Sequence, residues 1–266
     1  MTGDTVISLG FLKDKPLYER EKPYVLFVGK PGIGKNETNT NVELETVRDI
    51  PLRDVRGISD SFTLDKHGFQ FIAHQQTFCD FEDEDLVKQL YLEEVKEVIQ
   101  FHVPYAKKVH IFDWRRRKQF SPSEAKERVS AAQLVSRSVI LAPSQTVHSD
   151  TTEFSLLKRV KRELPDEANE LMKGRIQMIN FWRPIYHEVQ NWPLVLCDAQ
   201  TADLQDLRAV DQVTRRFIGD IYYSVYNDAM RWHYMSGMQP SEGALFKSWD
   251  TSPDGTAKGR LSKSFT

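Results

Sequence analysis

The chain has 266 residues, 40% of them hydrophobic and 28% charged, with a formal net charge of −2. That length can bury a full core, and the near balance of charge excludes a general electrostatic attraction to nucleic acid or to an anionic membrane. Two cysteines, Cys79 and Cys197, exclude a disulfide framework and fit a reducing compartment, and no apolar run approaches the roughly 18 residues of a membrane span.

The stretch Val6 to Leu12 is short, has no basic residue before it and lacks a small-residue cleavage site, so it is not read as a signal peptide. A cytoplasmic protein is expected, with residues 1–23 loosely ordered. Tyr24 to Val28 predicts a strand, followed by a Gly/Pro/Asn-rich loop from Gly29 to Asn41. Val42 to Val55 alternates well enough for extended structure, and Phe69 to Ala73 predicts another short strand. Asp83 to Phe101 carries acidic residues in its first turn and Leu86, Leu90, Val95 and Val98 at roughly helical spacing, which predicts a helix. Lys108 to Phe112 predicts a strand. Ser121-Pro122-Ser123-Glu124 combines an N-cap serine, a proline at the first helical position and a capping-box glutamate, so a helix is expected to about Ser136. A helical region from Phe154 to Lys173 is interrupted at Pro165 and ended by Gly174.

From Arg175 the pattern changes. Arg175 to Ile185, Pro193 to Cys197, Ile221 to Tyr226, Arg231 to Met235 and Ala244 to Trp249 are short, aromatic-rich strand candidates divided by turn residues. Such closely spaced strands suggest a sandwich or barrel rather than βαβ units, within a single domain over residues 1–266. The tail from Ser252 to Thr266 is polar and expected to be loose.

Two sequence features invite a function and fail physical tests. Gly29-Lys30-Pro31-Gly32-Ile33-Gly34-Lys35 fits the first seven places of a phosphate-binding loop, but Asn36 stands where a magnesium-binding Ser or Thr is needed. The following Asn36 to Val42 has poor helix propensity and no apolar face, so no helix N-terminus is there to hold phosphates. Nucleotide hydrolysis is excluded, and the segment reads as a turn between strands. The run Trp114-Arg115-Arg116-Arg117-Lys118 is too small for a nucleic-acid surface and reads as a solvated or anion-facing edge.

The most informative pair is His148 and Asp150. Two residues apart on an extended segment, they point to the same side and can grip one metal ion from one face, two thirds of a two-histidine, one-carboxylate facial triad for non-haem Fe(II). A turn-bound surface pair accounts for the same tripeptide.

A series of phrases narrows the reading. Val147-His148-Ser149-Asp150 is followed by Leu164-Pro165-Asp166-Glu167-Ala168, Gly174 to Ile185, Trp192 to Asp198, Arg231-Trp232-His233-Tyr234 and Leu245 to Asp250. Upstream, Asp54-Val55-Arg56-Gly57, Leu64 to Phe69 and Ile111-Phe112-Asp113 fit as well. Over roughly Val25 to Phe265 the chain resembles the asaB-type hydroxylase/desaturase family of fungal specialised metabolism, which is related to the helper subunit of bacterial cephem methoxylase. The resemblance implies an α+β chain with a mainly β core, a double-stranded β-helix (jelly-roll, cupin-like) with flanking helices. It implies an oxidoreductase using Fe(II) and 2-oxoglutarate on a small-molecule pathway intermediate, with His148 and Asp150 as metal ligands and catalytic residues.

The same resemblance shows departures. The family histidine that precedes the Arg-Trp-aromatic-Tyr phrase is Met230 here, a soft neutral donor poorly suited to Fe(II). His233 replaces it only if a bulge re-aims the strand, since residues 230 and 233 face opposite sides. The family's Pro-His near the C-terminus is Leu261-Ser262, leaving Lys258 and Arg260 in the tail, and Arg183 in Trp182-Arg183-Pro184, as candidates to bind the oxo-acid. For Arg183, pairing with a carboxylate such as Asp198 is an equal alternative. Three readings follow: a divergent hydroxylase/desaturase, which is favoured; a metal-free cyclase, isomerase or dehydratase using His148 and Asp150 as an acid–base pair; and a non-catalytic partner of another pathway enzyme. Self-association or a partner enzyme is compatible with all three.

Overall fold

Alternation along short strands decides the architecture. In a computed structural model, which describes residues 3–27, 39–121, 140–214 and 218–252, strand β1 (Thr5–Leu12) turns Leu9 and Phe11 inward and leaves Val6 exposed. This corrects the expectation of a loose N-terminal segment. Strand β1 pairs antiparallel with β3 (Leu44–Asp54) from Thr5↔Leu52 to Leu12↔Leu44. An extra residue in β3 breaks the register between Ile7 and Leu9, and Asp49 there takes φ 57, a left-handed conformation that aspartate tolerates.

Three sheets form among the described residues. The first has the order β1-β3-β10-β7, with β10 (Trp232–Tyr234) parallel to β3 and antiparallel to β7 (Val195–Cys197). The second, β4-β11-β6, sets β11 (Glu242–Asp250) between β4 (Phe69–Ala73) and β6 (Gln177–Trp182). The third, β2-β8-β9-β5, contains β2 (Tyr24–Leu26), β8 (Leu207–Val213), β9 (Ile218–Ser224) and β5 (His148–Ser149).

The strand faces build the core. Met230, Trp232 and Tyr234 pack with Leu9, Phe11, Leu52 and Val147 on one side of the first sheet. Leu194 and Leu196 pack with Phe69, Phe71 and Phe246 on the other. Leu245 turns from β11 toward helix α3 (Leu92–His102), meeting Val95, Val98 and Ile99. The observed fold is therefore mainly β with flanking helices.

The helix expected from Asp83 is present but interrupted. Asp83 caps it by accepting from the amides of Asp85 and Leu86, α2 (Glu84–Leu86) begins it, and a π-turn over Val87–Tyr91 precedes α3. The later helical region forms α4 (Glu153–Glu163) and α5 (Ala168–Leu171), divided at Pro165. Lys108 to Phe112 is not a strand: Val109 and Ile111 pack against the α3 cluster and Phe112 against Leu156, but among the described residues no neighbouring strand offers a ladder. Burial against α3 and Leu156, rather than pairing in a sheet, accounts for that alternation. The helix expected from Ser121 and the Gly29–Lys35 loop lie outside the described residues.

A buried charge cluster ties the second sheet to its surroundings. Lys247 and Asp250 are 2% and 1% exposed. Lys247 Nζ lies 2.8 Å from Asp250 Oδ2 and 3.0 Å from Asp65 Oδ1, and Arg175 Nη2 lies 2.6 Å and 2.8 Å from the same two atoms. Close pairing, with further hydrogen bonds from Gln177 and the Ser252 amide to Asp250, is what makes such burial tolerable.

Candidate active site

Strand β5 pairs with β9 through His148↔Tyr223 and Ser149↔Tyr222. The two-residue period sends Ser149 inward, where its Oγ donates to the Ser248 carbonyl at 2.9 Å, and leaves His148 and Asp150 on the other side. The approach is fixed by Gly10 of β1, whose amide donates to Gln145 O (3.1 Å) and whose carbonyl accepts from Val147 (2.8 Å). A Cβ on Gly10 would stand 2.9 Å from Gln145 O, so this close backbone approach requires glycine. The exit is fixed by Thr152, the N-cap of α4, which accepts from the Ser155 amide at 3.1 Å. The hydroxyls of Thr152 and Ser155 both donate to Asp220 on β9.

Between these anchors His148 Nε2 lies 3.4 Å from Asp150 Oδ1. His148 Nδ1 is 2.7 Å from Thr146 O, and because a carbonyl only accepts, Nδ1 carries a proton. Asp150 Oδ2 accepts from Asn180 Nδ2 at 2.5 Å and from Ser248 Oγ at 3.2 Å. Enclosure by protein disfavours the charge on Asp150, but the bond and charge of His148, with the bonds from Asn180 and Ser248, outweigh it and hold the carboxyl at about 2. Asp150 is thus a carboxylate with its outer oxygen occupied, and Oδ1 and Nε2 converge on one point. A neutral imidazole would set two lone-pair atoms against each other there. A proton or a cation shared between them would satisfy both atoms.

Sequence reasoning missed the supporting residues. Ser248 sits at a bulge: Lys247 pairs with Ile179 and Trp249 with Met178, so Ser248 is the extra residue, turned toward Asp150. Asn180 was a polar residue inside an apolar run, a signal that could have been used, since a strand rarely buries an amide without a partner. In the basic run, Arg116 pairs with Glu82 at 2.7 Å and Arg115 with Asp113 at 3.3 Å. Arg117 donates to Ala142 O at 2.7 Å and feels the Asp150 charge.

Other sequence candidates are not brought to the pair. His233 was the replacement third ligand, yet its ring packs against Phe62 and Phe69, with centroids 4.8 and 5.8 Å away. No bulge re-aims β10, which keeps an unbroken register with β3 and β7, so alternation leaves His233 on the face opposite Met230. Met230 is itself buried among apolar side chains. All seven histidines are described residues, and among the described residues no three His, Cys, Asp or Glu side chains are grouped to hold a metal. Among the described residues the donors therefore fit two corners of an iron site and do not assemble the three-residue set.

Arg183 follows β6 on the side of Ile179 and Phe181, away from Asn180, and its side chain is 1% exposed. Its Nη2 donates to His74 O (2.6 Å) and Pro240 O (2.5 Å), and Nη1 lies 3.5 Å from Glu94, so it pairs with Glu94 rather than Asp198 and is not turned to an oxo-acid beside His148. Lys258 and Arg260 lie outside the described residues.

A family model described as Oxidoreductase/YMDC permease-like domain matches residues 9–266. The chain belongs to this family. As a member of the oxidoreductase family it is 29% identical over 269 residues to the hydroxylase/desaturase CTB9 of Cercospora beticola, covering 93% of this chain and 80% of that relative. It is 24% identical to the Fe(II)/2-oxoglutarate-dependent dioxygenase nvfI of Aspergillus novofumigatus, over 87% of this chain and 79% of the relative. A solved structure of the iron and alpha-ketoglutarate-dependent endoperoxidase NvfI superposes with a TM-score of 0.82 at 20% identity, covering 99% of this chain and 90% of that one, and so shares the cupin-like fold. Despite the family's description, no helix among the described residues is long and apolar enough to cross a membrane.

Proposed function

We propose that this family member is a hydroxylase/desaturase-type oxidoreductase acting on a small-molecule intermediate of a fungal pathway, with His148 and Asp150 as its reacting centre. The observation that carries the proposal is the convergence of Nε2 and Oδ1 at 3.4 Å, with the outer atoms of both side chains already engaged. The reading extends to Fe(II) and 2-oxoglutarate, the cofactors in the names of its relatives; His148 and Asp150 would provide two protein donors, and the cofactors would supply oxidising power from O2. The remaining work belongs to the chain: Thr146 fixes the imidazole ring, while Asn180 and Ser248 fix the carboxylate and keep it ionised. A single domain and a cytoplasmic setting complete the proposal, supported by a content of only two cysteines, too few for a disulfide framework.

Met230 favours a second reading, in which the same pair moves a proton without metal, His148 as acid or base and Asp150 as its orienting carboxylate. Anaerobic titration with Fe(II) and 2-oxoglutarate separates the two. The oxidoreductase reading expects a weak visible charge-transfer band that saturates and disappears in His148→Ala. Absence of the band in the wild-type chain overturns the iron assignment and favours acid–base chemistry.

A further inference from the structure

A cleft of about 480 Å3 lies where the start of β1, the end of β3 and β10 meet, lined by Asp4, Thr5, Arg53, Asp198, Arg231 and His233. It shares no residue with the His148–Asp150 site, and its size is within the range of about 300–1,000 Å3 typical of small-molecule sites.

The lining is chemically ordered. Arg53 and His233 are direct partners across the parallel β3–β10 ladder, so their side chains leave the same face as neighbours. Arg53 is exposed and makes no ion pair within the described structure. Arg231 commits Nη1 to the carbonyls of Asp228, Ala229 and Met230, which fixes its guanidinium. Asp198 is tied beside it by its amide, which donates to Arg231 O at 2.9 Å. The Asp198 carboxylate caps a short turn through Oδ1, which accepts from Gln200, and among the described residues Oδ2 takes no hydrogen bond. His233 is 5% exposed; the Arg231 backbone lies near its ring, but among the described residues Nδ1 has no hydrogen-bond partner of normal geometry. A buried polar atom left without a partner is rare and marks a place where something else completes the bond.

We propose that this cleft binds a small zwitterion of the α-amino-acid class, its carboxylate held by Arg53 and Arg231 and its ammonium by Asp198, with His233 adding a hydrogen bond to one of these two groups. Two cations and two carboxylates give the lining no net sign, so an anion or a cation alone would leave half of it unmatched. Burial holds the His233 imidazole at about 4, with Asp198 and the Arg231 backbone opposing and Arg53 and His67 reinforcing the effect, so the ring is a neutral hydrogen-bonding partner near pH 7.

The test is a titration of the full chain with glycine, L-alanine and L-glutamate, followed by 1H–15N NMR, with acetate and methylamine as singly charged controls. Saturable shifts are expected with the amino acids at residues 53, 198 and 233, and not at 148 or 150. Arg53→Ala and Asp198→Asn should each weaken binding about tenfold or more, since each removes one charge-assisted contact. Arg53 is exposed and asparagine keeps the turn cap, so both variants should fold; an unchanged melting temperature checks this. The absence of saturable shifts overturns the proposal, as does binding that survives both substitutions or acetate binding as tightly as glycine. His148→Ala should leave this binding unchanged, which keeps the outcome independent of the reading of the His148–Asp150 pair.

Discussion

Met230 and His233 are three residues apart and serve opposite faces of β10, and each makes a prediction at the scale of one side chain. By the resemblance read from the sequence, Met230 stands in place of a family histidine. Because neither residue is brought to the His148–Asp150 pair, Met230→His and His233→Ala are both expected to leave Fe(II) binding unchanged. Calorimetry under anaerobic conditions checks both; if His233→Ala abolishes binding, the face assignment made for β10 is wrong. His233 also titrates in a measurable way. Its folded value of about 4 lies below the unfolded value, so between these pH values the unfolded chain binds a proton that the native protein refuses. Stability should therefore fall with pH, by on the order of 2 kcal/mol from pH 7 to pH 5, and level off below pH 4. His67, also depressed by burial, adds in the same direction. His233→Phe, a substitution compatible with contacts to Phe62 and Phe69, should flatten this slope in urea unfolding; equal slopes in both proteins would refute the account.

At the scale of elements, β5 is only two residues long and owes its placement to neighbours. The Gly10 contact with Gln145 and Val147 is the main backbone link on its N-terminal side. Gly10→Ala forces a Cβ against a carbonyl oxygen and should cost about 1–3 kcal/mol. Gly174→Ala meets Leu171 O at an ordinary 3.6 Å and should cost less than about 1 kcal/mol. Thermal unfolding compares the two, and His148 resonances should move only in Gly10→Ala. Most strands near the site were readable from the sequence because their apolar alternation matches burial: β4 was predicted with its observed bounds, and β6, β7, β10 and β11 within a few residues. Strand β1 was not recognised, because its inward Leu9 and Phe11 gain a core only from β3, some forty residues later. Strand β8 lacked attention despite the capping box from Asp203 to Asp206 that ends just before it. Lys108 to Phe112 failed for the converse reason: alternation reports burial, and a ladder also needs an edge to pair with.

The whole molecule depends on charges that no local pattern explains. Lys247 and Asp250 are buried on β11, joined to Arg175 before β6 and to Asp65 in helix α1 (Leu64–His67). Removing one member leaves the others buried and unbalanced, so Lys247→Met should lower stability by about 3–5 kcal/mol. Lys173→Met, which breaks an exposed pair with Glu170, should change it by less than about 1 kcal/mol. Denaturant unfolding distinguishes them; similar losses would show that the cluster contributes no more than a surface pair. The buried cluster and the site share β11: Lys247 and Asp250 fix the strand on either side of Ser248, the bulged residue that donates to Asp150.

The sequence by itself determined that His148 and Asp150 share a side, because a two-residue period is a property of any extended backbone. It also determined most of the strand-rich second half and the helix ends marked by Asp83 and Pro165, where one residue type has one local effect. Only the tertiary structure decided which groups hold that pair. Thr146, Asn180 and Ser248 come from the approach to β5 and from two other strands, and Ser248 reaches Asp150 through a bulge that depends on how β11 and β6 register. It alone decided that Arg183 pairs with Glu94, and that His233 faces an aromatic cluster and a second cleft. Alternation assigns a side chain to a face, but what lies across that face depends on how distant segments pack.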